Sequence, residues 1–268
     1  MRFPLPSGIT ICAALLWPLA AAAAPTPSPA VHAPDASAAA AKDDNGTFLK
    51  LHEAILRRGQ SGPIGLLFLG DSITARWILA PHIWNAYYGK YSPANFGVGG
   101  DKTQNVIWRI EHGELDHVHP QVVVFLLGTN NTGSNGVPSN TAAEITAADT
   151  KIVHLIQAKI PEAKVLILGI FPRGARKNRD GSLDTGVEKN GVIRAVNAEL
   201  AKLDDGRTIR FLDIGSVFLG QDGKPPFSIM PEQLHPSPAG YQLWADAMKP
   251  TLDQMLGEKP GKPIEASY

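Results

Sequence analysis

The chain has 268 residues, of which 44% are hydrophobic and 19% are charged, and its 25 basic and 25 acidic residues cancel to a formal net charge of +0. This length and composition indicate one or two globular domains and show no periodic fibrous pattern. A nucleic-acid-binding protein usually has a basic patch or a high isoelectric point, whereas the isoelectric point here is about 7.1. We therefore expect no nucleic-acid partner.

The first 24 residues have the organisation of an export signal peptide. Arg2 precedes an apolar stretch from Ile9 to Ala24, and small residues at 21–24 supply a cleavage site. The apolar run is short for a bilayer span, which needs about 20 residues, so an uncleaved anchor is the less favoured alternative. We expect export to the periplasm or the medium without stable membrane insertion. Since the only cysteine, Cys12, lies in this segment, the mature chain has no disulfide.

Residues 25–45 are mostly Ala, Pro, Ser and Asp and are expected to form a disordered linker. A stretch of that composition cannot bury enough apolar surface to offset the entropy lost on ordering. Residues 258–268 are expected to form a flexible tail for the same reason. The folded domain is therefore expected to span residues 46–257.

Within this domain, apolar runs alternate with helical patterns. The runs predict strands at Ile64–Leu69, Ala94–Val98, Val122–Leu127, Val165–Phe171 and Ile209–Ile214. The helical patterns lie at Gly46–Arg58, Lys102–Glu111, Thr141–Ile160, Lys189–Leu203 and Pro238–Leu256. Three runs are almost continuous in Val, Ile, Leu and Phe, which is typical of parallel strands buried on both faces. The alternation predicts a single α/β domain in three layers, with helices on both faces of the sheet.

Glycine-rich or polar segments follow the predicted strands. The four segments that carry chemistry are GDS at 70–72, NFGVGG at 95–100, GTNN at 128–131 and LHPS at 234–237. Ligands of open α/β sheets bind outside the carboxyl ends of the strands. We therefore expect these segments to meet at one edge of the sheet.

The residue types in these segments are those that acyl transfer requires. The Ser72 hydroxyl is a weak nucleophile that needs a base, and His235 suits that role near neutral pH. Glu232, three residues before His235, is placed to orient the imidazole. The backbone N–H groups of Ser72 and Gly100 and the side-chain amide of Asn130 are candidate donors to the developing oxyanion. Nucleophile, base, orienting carboxylate and donors make a complete site.

At these four blocks the chain resembles the SGNH, or GDSL-like, hydrolase superfamily, over about residues 64–256. The stretch at 95–131 is especially similar to the catalytic subunits of intracellular platelet-activating-factor acetylhydrolase. The resemblance implies a flavodoxin-like five-stranded parallel sheet in the order 2-1-3-4-5, ester hydrolysis, no metal and no other cofactor. It assigns the same catalytic roles, adds Asp71 as a supporting residue beside the nucleophile, and suggests a homodimer.

The chain departs from the family at one position, because Glu232 stands where the family usually has aspartate. Glutamate is one methylene longer, so its carboxylate has to fold back to reach the histidine. Other hydrolases use glutamate in this role, and we retain Glu232 as the orienting group. Asp213, Asp222 and a backbone carbonyl are the alternatives.

The sequence therefore predicts an exported serine esterase that acts through an acyl-enzyme on short acyl groups, of which acetyl is favoured. The substrate is expected to be a small molecule, a carbohydrate or a lipid-like ester. The alternatives are a lysophospholipase or thioesterase, and a catalytically silent carbohydrate-binding protein on the same fold. Histidines at 112, 117 and 119 lie near acidic residues, but their spacing fits no metal motif and favours a solvated connection.

Overall fold

The computed structural model describes residue 1, residues 32–133, residue 135 and residues 137–259. The chain divides into two units, Met1–Val31 and His32–Tyr268, and the folded domain lies in the second. The predicted signal peptide, apart from residue 1, and the predicted tail beyond residue 259 lie outside the described residues. No helix in the described part of the chain is long and apolar enough to span a membrane.

The described residues form a five-stranded parallel sheet and a small antiparallel hairpin. The sheet strands are β1 (Leu66–Gly70), β2 (Pro93–Gly97), β3 (Val122–Leu126), β4 (Lys164–Leu168) and β7 (Ile209–Leu212). The hairpin consists of β5 (Arg176–Lys177) and β6 (Leu183–Asp184). The sheet order is β2-β1-β3-β4-β7, with every neighbouring pair parallel. The predicted order is confirmed, since β7 is the fifth sheet strand; the hairpin was not predicted.

Seven α-helices lie in the described residues. They are α1 (Thr47–Gln60), α2 (Ser72–Ala75), α3 (Pro81–Tyr88), α4 (Thr103–Glu111), α5 (Ala142–Lys159), α6 (Val187–Leu200) and α7 (Pro238–Met255). The five predicted helices are present. The sequence pattern did not predict α3, because its aromatic residues and short length give no clear amphipathic repeat.

The sheet separates two apolar clusters, so the three-layer fold is confirmed. Side chains of β1 alternate between them: Leu67 and Leu69 pack in the cluster with α1, α4, α5 and α6. Leu66 and Phe68 pack in the other cluster, with α3 and α7. All five residues of β1 and of β3 are buried, as expected of central strands covered on both faces.

Residues 34–42, which we call the N-terminal strap, lie along the domain surface. Ala36 is buried, its carbonyl accepts a hydrogen bond from Thr103 Oγ1 at 2.7 Å, and Ala40 N–H donates to Gln104 O at 3.0 Å. The expected disordered linker is therefore wrong for this segment. Its composition gives few side chains to bury, but the domain supplies hydrogen-bond partners for its backbone.

Candidate active site

The turn from β1 to α2 places Ser72 at the carboxyl edge of the sheet, as the first residue of α2. Asp71 caps this helix, because its carboxylate accepts a hydrogen bond from Ile73 N–H at 2.8 Å. A Cβ atom at Gly70 would lie 2.3 Å from the carbonyl oxygen of Leu126, so only glycine fits there. The local sequence therefore fixes both the position of Ser72 and the start of the helix behind it.

The loop before α7 brings His235 to this serine. His235 Nε2 lies 2.8 Å from Ser72 Oγ, although 163 residues separate them in sequence. Glu232 Oε1 contacts the other ring nitrogen, Nδ1. The three side chains thus form a serine–histidine–glutamate chain, with the geometry required for a base to activate a hydroxyl.

The two aspartates named as alternatives to Glu232 are engaged elsewhere. Asp213 accepts hydrogen bonds from Gly215 N–H at 2.8 Å and from the Asn197 side chain at 3.3 Å. Asp222 accepts from Lys224 N–H at 3.1 Å. Among the acidic residues considered, Glu232 is therefore the one that lies against the histidine.

Two arginines hold the Glu232 carboxylate in place. Arg76, which directly follows α2, donates to Oε1 at 2.7 Å, and Arg176 of the β5–β6 hairpin donates to Oε2 at 3.0 Å. Both contacts are partly exposed, so they contribute orientation more than stability. Both oxygens of the Glu232 carboxylate therefore have cationic partners.

Gln233 shapes the loop that carries these residues. It has a left-handed backbone with φ of 63°, and its side-chain amide donates to Pro225 O and Met230 O at 3.1 and 3.0 Å. Its carbonyl accepts from Gly174 N–H at 2.8 Å. A Cβ atom at Gly174 would lie only 1.9 Å from Gln233 Oε1, so the segment after β4 needs glycine to reach this loop.

The electrostatic surroundings favour a neutral histidine that can act as a base. Burial lowers the pKa of His235 below the ordinary 6.5, although the neighbouring Glu232 acts in the opposite direction. Partial burial acts to raise the pKa of Glu232, but His235, Arg76 and Arg176 together hold it below its usual value. At neutral pH the site therefore contains an imidazole next to a carboxylate.

The other predicted donors lie close to the nucleophile turn. Asn130 Nδ2 donates to the carbonyl of Asp101 at 2.8 Å and lies 3.4 Å from the carboxylate of Asp71. Gly100 precedes Asp101 and is exposed. Asn130 therefore bridges the glycine-rich loop and the residue beside Ser72. Burial raises the pKa of Asp71 to about 7, so its charge varies near neutral pH.

A buried arginine beneath the site was missed at the sequence level. Arg109 of α4 is fully buried and donates to Asp101 Oδ2 at 2.9 Å, to Phe96 O at 3.1 Å and to Gly70 O at 3.4 Å. It also pairs with Glu114. Arg109 thus ties together the ends of β1 and β2. The sequence signal for its burial was its position on the apolar face of α4, three residues after the buried Val106.

The described residues hold no group of three or more His, Cys, Asp or Glu side chains that is placed to bind a metal ion. The side chains that meet at the carboxyl edge of the sheet are a serine at the end of the first strand and a histidine before the last helix. On a doubly wound parallel sheet, this arrangement defines the class of the protein: a serine-type ester hydrolase of three-layer α/β/α architecture.

Comparison with known proteins gives the family. The model of the GDSL-like lipase/acylhydrolase family matches residues 68–243. The human platelet-activating factor acetylhydrolase IB subunit alpha1 is 32% identical over 218 residues, which are 81% of this chain and 88% of that protein. The alpha2 subunit from Rattus norvegicus is 33% identical over 196 residues, or 73% and 79% of the two chains. The chain belongs to the GDSL-like lipase/acylhydrolase family and is an ester hydrolase.

Solved structures agree in fold. A GDSL-like lipase from Bacteroides thetaiotaomicron superposes with a TM-score of 0.60 at 17% identity, covering 76% of this chain and 97% of the other. A carbohydrate acetylesterase from Sinorhizobium meliloti superposes with a TM-score of 0.55 at 18% identity, covering 72% and 99%. At these identities the likeness concerns the fold alone. Together with the family match, it confirms the resemblance that the four sequence blocks indicated.

Proposed function

We propose that the protein is a serine esterase that removes short acyl groups, acetyl above all, through an acyl-enzyme on Ser72. The observation that carries the proposal is the 2.8 Å contact between Ser72 Oγ and His235 Nε2, with Glu232 on the other ring nitrogen. A serine hydroxyl becomes a useful nucleophile when such a base accepts its proton during attack.

The reaction proceeds in two halves. As Ser72 Oγ bonds to the ester carbonyl carbon, its proton moves to His235, and Glu232 stabilises the imidazolium. The carbonyl oxygen becomes an oxyanion that accepts hydrogen bonds from Ser72 N–H and Gly100 N–H, and from Asn130 Nδ2, which gives up its long contact with Asp71. Collapse expels the alcohol, which takes the proton from His235. Water then attacks the acyl-enzyme, with His235 again as the base, and releases the acid and free Ser72.

The short acyl group is supported by relatives rather than by a measured pocket. The proteins that share about a third of their residues with this chain are named subunits of platelet-activating factor acetylhydrolase. A structural neighbour is named a carbohydrate acetylesterase. The alcohol portion is therefore proposed to be a lipid-like or carbohydrate alcohol. Lysophospholipase or thioesterase activity is the alternative within the same chemistry.

Labelling with a fluorophosphonate tests the nucleophile. The folded protein is expected to form one covalent adduct on Ser72, located by mass spectrometry of the digest, and the Ser72→Ala variant is expected to form none. A folded protein that forms no adduct on Ser72 contradicts the esterase proposal and favours the catalytically silent carbohydrate-binding alternative.

A series of nitrophenyl esters from acetate to decanoate tests the acyl group. The value of kcat/KM is expected to fall steadily as the acyl chain lengthens. Values that stay level or rise out to long chains contradict the short-acyl proposal and favour the lysophospholipase or thioesterase.

We also propose that the protein is exported, on the basis of the basic, apolar and small-residue pattern of the first 24 residues. Cleavage near residue 24 leaves the N-terminal strap in the mature protein. Amino-terminal sequencing of the protein purified from the cell envelope or the medium tests this. An uncleaved amino terminus, or recovery only from the cytoplasm, contradicts it.

A further inference from the structure

The N-terminal strap ends in a lysine that reaches the glycine-rich loop of the site. Lys42 Nζ donates to the carbonyl of Gly99 at 2.7 Å and pairs with Asp101 Oδ1, also at 2.7 Å. Its side chain is only 19% exposed, and the ammonium lies 5.1 Å from the centroid of the Phe48 ring. The lysine is therefore held in one place by an acceptor, an opposite charge and an aromatic ring.

The carbonyl that Lys42 binds belongs to the same peptide group as the N–H of Gly100. This peptide is trans and planar, so its C=O and N–H point in opposite directions. A cation fixed on the carbonyl of Gly99 therefore also fixes the direction of the Gly100 N–H. Charge on the carbonyl side polarises the peptide and makes its N–H a stronger donor.

The Gly100 N–H is free to receive a ligand. Gly100 is exposed, and its N–H makes no hydrogen bond to any residue that the structure describes. The next N–H along the chain, that of Asp101, is by contrast used in a turn to Val98 O at 3.1 Å. The lysine thus acts on a backbone donor of this turn that is open to solvent.

We propose that Lys42 is a positioning residue that aims and polarises the Gly100 N–H toward the oxyanion formed on the substrate. The inference rests on the esterase function proposed above. On this inference the N-terminal strap contributes a positioning residue to the site. The strap lies outside the four motif blocks and outside the residues matched by the family model.

Asp101 links the lysine to the second proposed donor. One oxygen of its carboxylate binds Lys42 and the other binds Arg109, while its backbone carbonyl accepts from Asn130 Nδ2. Burial raises the pKa of Asp101, and Arg109 and Lys42 oppose that effect. Through Asp101, the direction of the Gly100 N–H and the position of the Asn130 amide are set by one connected group of contacts.

The competing explanation is that Lys42 only helps to fasten the strap to the domain. A second lysine provides the control for this. Lys151 of α5 donates to Ser37 O of the strap at 3.0 Å and approaches Glu111, but it does not contact the glycine-rich loop. Loss of Lys42 removes its contacts to Gly99 and Asp101, and loss of Lys151 removes its contact to Ser37, so either change loosens the strap. Only loss of Lys42 also changes the peptide between Gly99 and Gly100.

The test compares Lys42→Met, Lys42→Arg and Lys151→Met in the full mature chain, with nitrophenyl acetate as substrate. Removing a direct oxyanion donor costs about 10²–10³-fold in kcat, so removing a group that aims one is expected to cost about 10-fold. KM is expected to stay within about 2-fold, since the hydrogen bond from Gly100 N–H to the oxyanion forms only in the transition state. Lys42→Arg is expected to recover part of kcat, and Lys151→Met to retain all of it.

A second readout uses a trifluoromethyl ketone that forms a tetrahedral adduct with the serine. Its inhibition constant is expected to rise in Lys42→Met by the same factor as kcat falls, and to stay unchanged in Lys151→Met. If Lys42→Met does not fold, Lys42→Gln, which removes the charge but keeps a donor, is expected to show several-fold lower kcat.

A folded Lys42→Met or Lys42→Gln variant with wild-type kcat overturns the inference, as does an equal loss in Lys151→Met. Failure of the esterase proposal is recognised separately, because the wild-type protein then hydrolyses no ester and forms no adduct on Ser72.

Discussion

At the residue scale, the proposed role of His235 as the base sets the pH range expected for the enzyme. Only the neutral imidazole can accept the Ser72 proton, so activity is present above the His235 pKa and is lost below it. Burial holds that pKa below 6.5, with Glu232 opposing. The acid limb of kcat/KM is therefore expected below pH 6.5. A pH–rate profile with nitrophenyl acetate measures it, and a limb at or above pH 6.5 contradicts this assignment.

Replacing Glu232 separates its two effects on the histidine. In Glu232→Gln the orienting charge is lost, so the plateau of kcat/KM is expected to fall about 10²-fold or more. The charge that raises the His235 pKa is lost as well, so the acid limb moves to lower pH. Both are read from one pH–rate profile. Exposed Glu53→Gln on α1 is the control. If Glu232→Gln keeps the wild-type plateau of kcat/KM, another group orients the histidine.

The candidate site residues Ser72, His235 and Glu232 could be found in the sequence because each follows a strand or precedes a helix in a short motif. The structure brings the three side chains together, and their catalytic roles stay a prediction. The groups around them were not predicted, since Arg76 and Arg176 reach Glu232 across 156 and 56 residues. Such long-range pairing depends on packing that no local pattern records.

At the element scale, the segment after β4 and the loop before α7 support each other. The backbone N–H of Gly174 donates to Gln233 O, and the Gln233 side chain fills the space that a Cβ atom at Gly174 would need. The position of His235 therefore depends on a glycine in a different loop. The short strands β5 and β6 continue this support by carrying Arg176 to Glu232.

Gly174→Ala is expected to displace this loop. The added methyl would lie 1.9 Å from Gln233 Oε1, so the glutamine must leave its hydrogen bonds to Pro225 and Met230. Each lost bond costs about 1 kcal/mol, and kcat is expected to fall because His235 moves with the loop. Urea denaturation and steady-state kinetics measure both effects.

Gly191→Ala in α6 is the matched control for that substitution. A Cβ atom there meets nothing within 4 Å, so alanine is expected to stabilise the helix by about 0.5–1 kcal/mol and leave kcat unchanged. If Gly174→Ala behaves like Gly191→Ala, the contact with Gln233 does not position the loop.

The N-terminal strap shows where composition misleads at this scale. Most of its side chains are those of alanine and other small residues, so little apolar burial was expected. Its carbonyls nevertheless accept hydrogen bonds from Thr103, Asn105 and Lys151. Amino-acid composition indicates how much apolar surface the side chains of a segment can bury. It does not show which donors elsewhere in the chain form hydrogen bonds with the backbone of that segment.

At the scale of the whole molecule, the near-continuous apolar runs predicted a buried parallel sheet, and the structure confirms it. The strand order came from the family resemblance, because periodicity alone does not say which strands are neighbours. The same burial that makes the core also encloses a titratable group. Asp149 of α5 is fully buried, and neither of its carboxylate oxygens has a hydrogen-bond partner among the described residues.

The buried carboxyl of Asp149 links the stability of the fold to pH. Burial, together with the neighbouring Asp71, raises its pKa well above the usual 3.8, so the folded protein keeps a proton that the unfolded chain releases. The folded state then binds more protons than the unfolded state at pH values above 3.8 and below the raised pKa. Stability is therefore lost as pH rises through that window, by up to about 1.4 kcal/mol per pH unit.

Asp149→Asn removes this titration while keeping the shape of the side chain. The free energy of unfolding in urea, measured at pH 6 and pH 9, is expected to fall less between the two values in the variant than in the wild-type protein. Exposed Asp222→Asn is the control and is expected to follow the wild type. Equal losses in all three proteins contradict the linkage, because Asp149 then carries the same charge in the folded and unfolded states over that range.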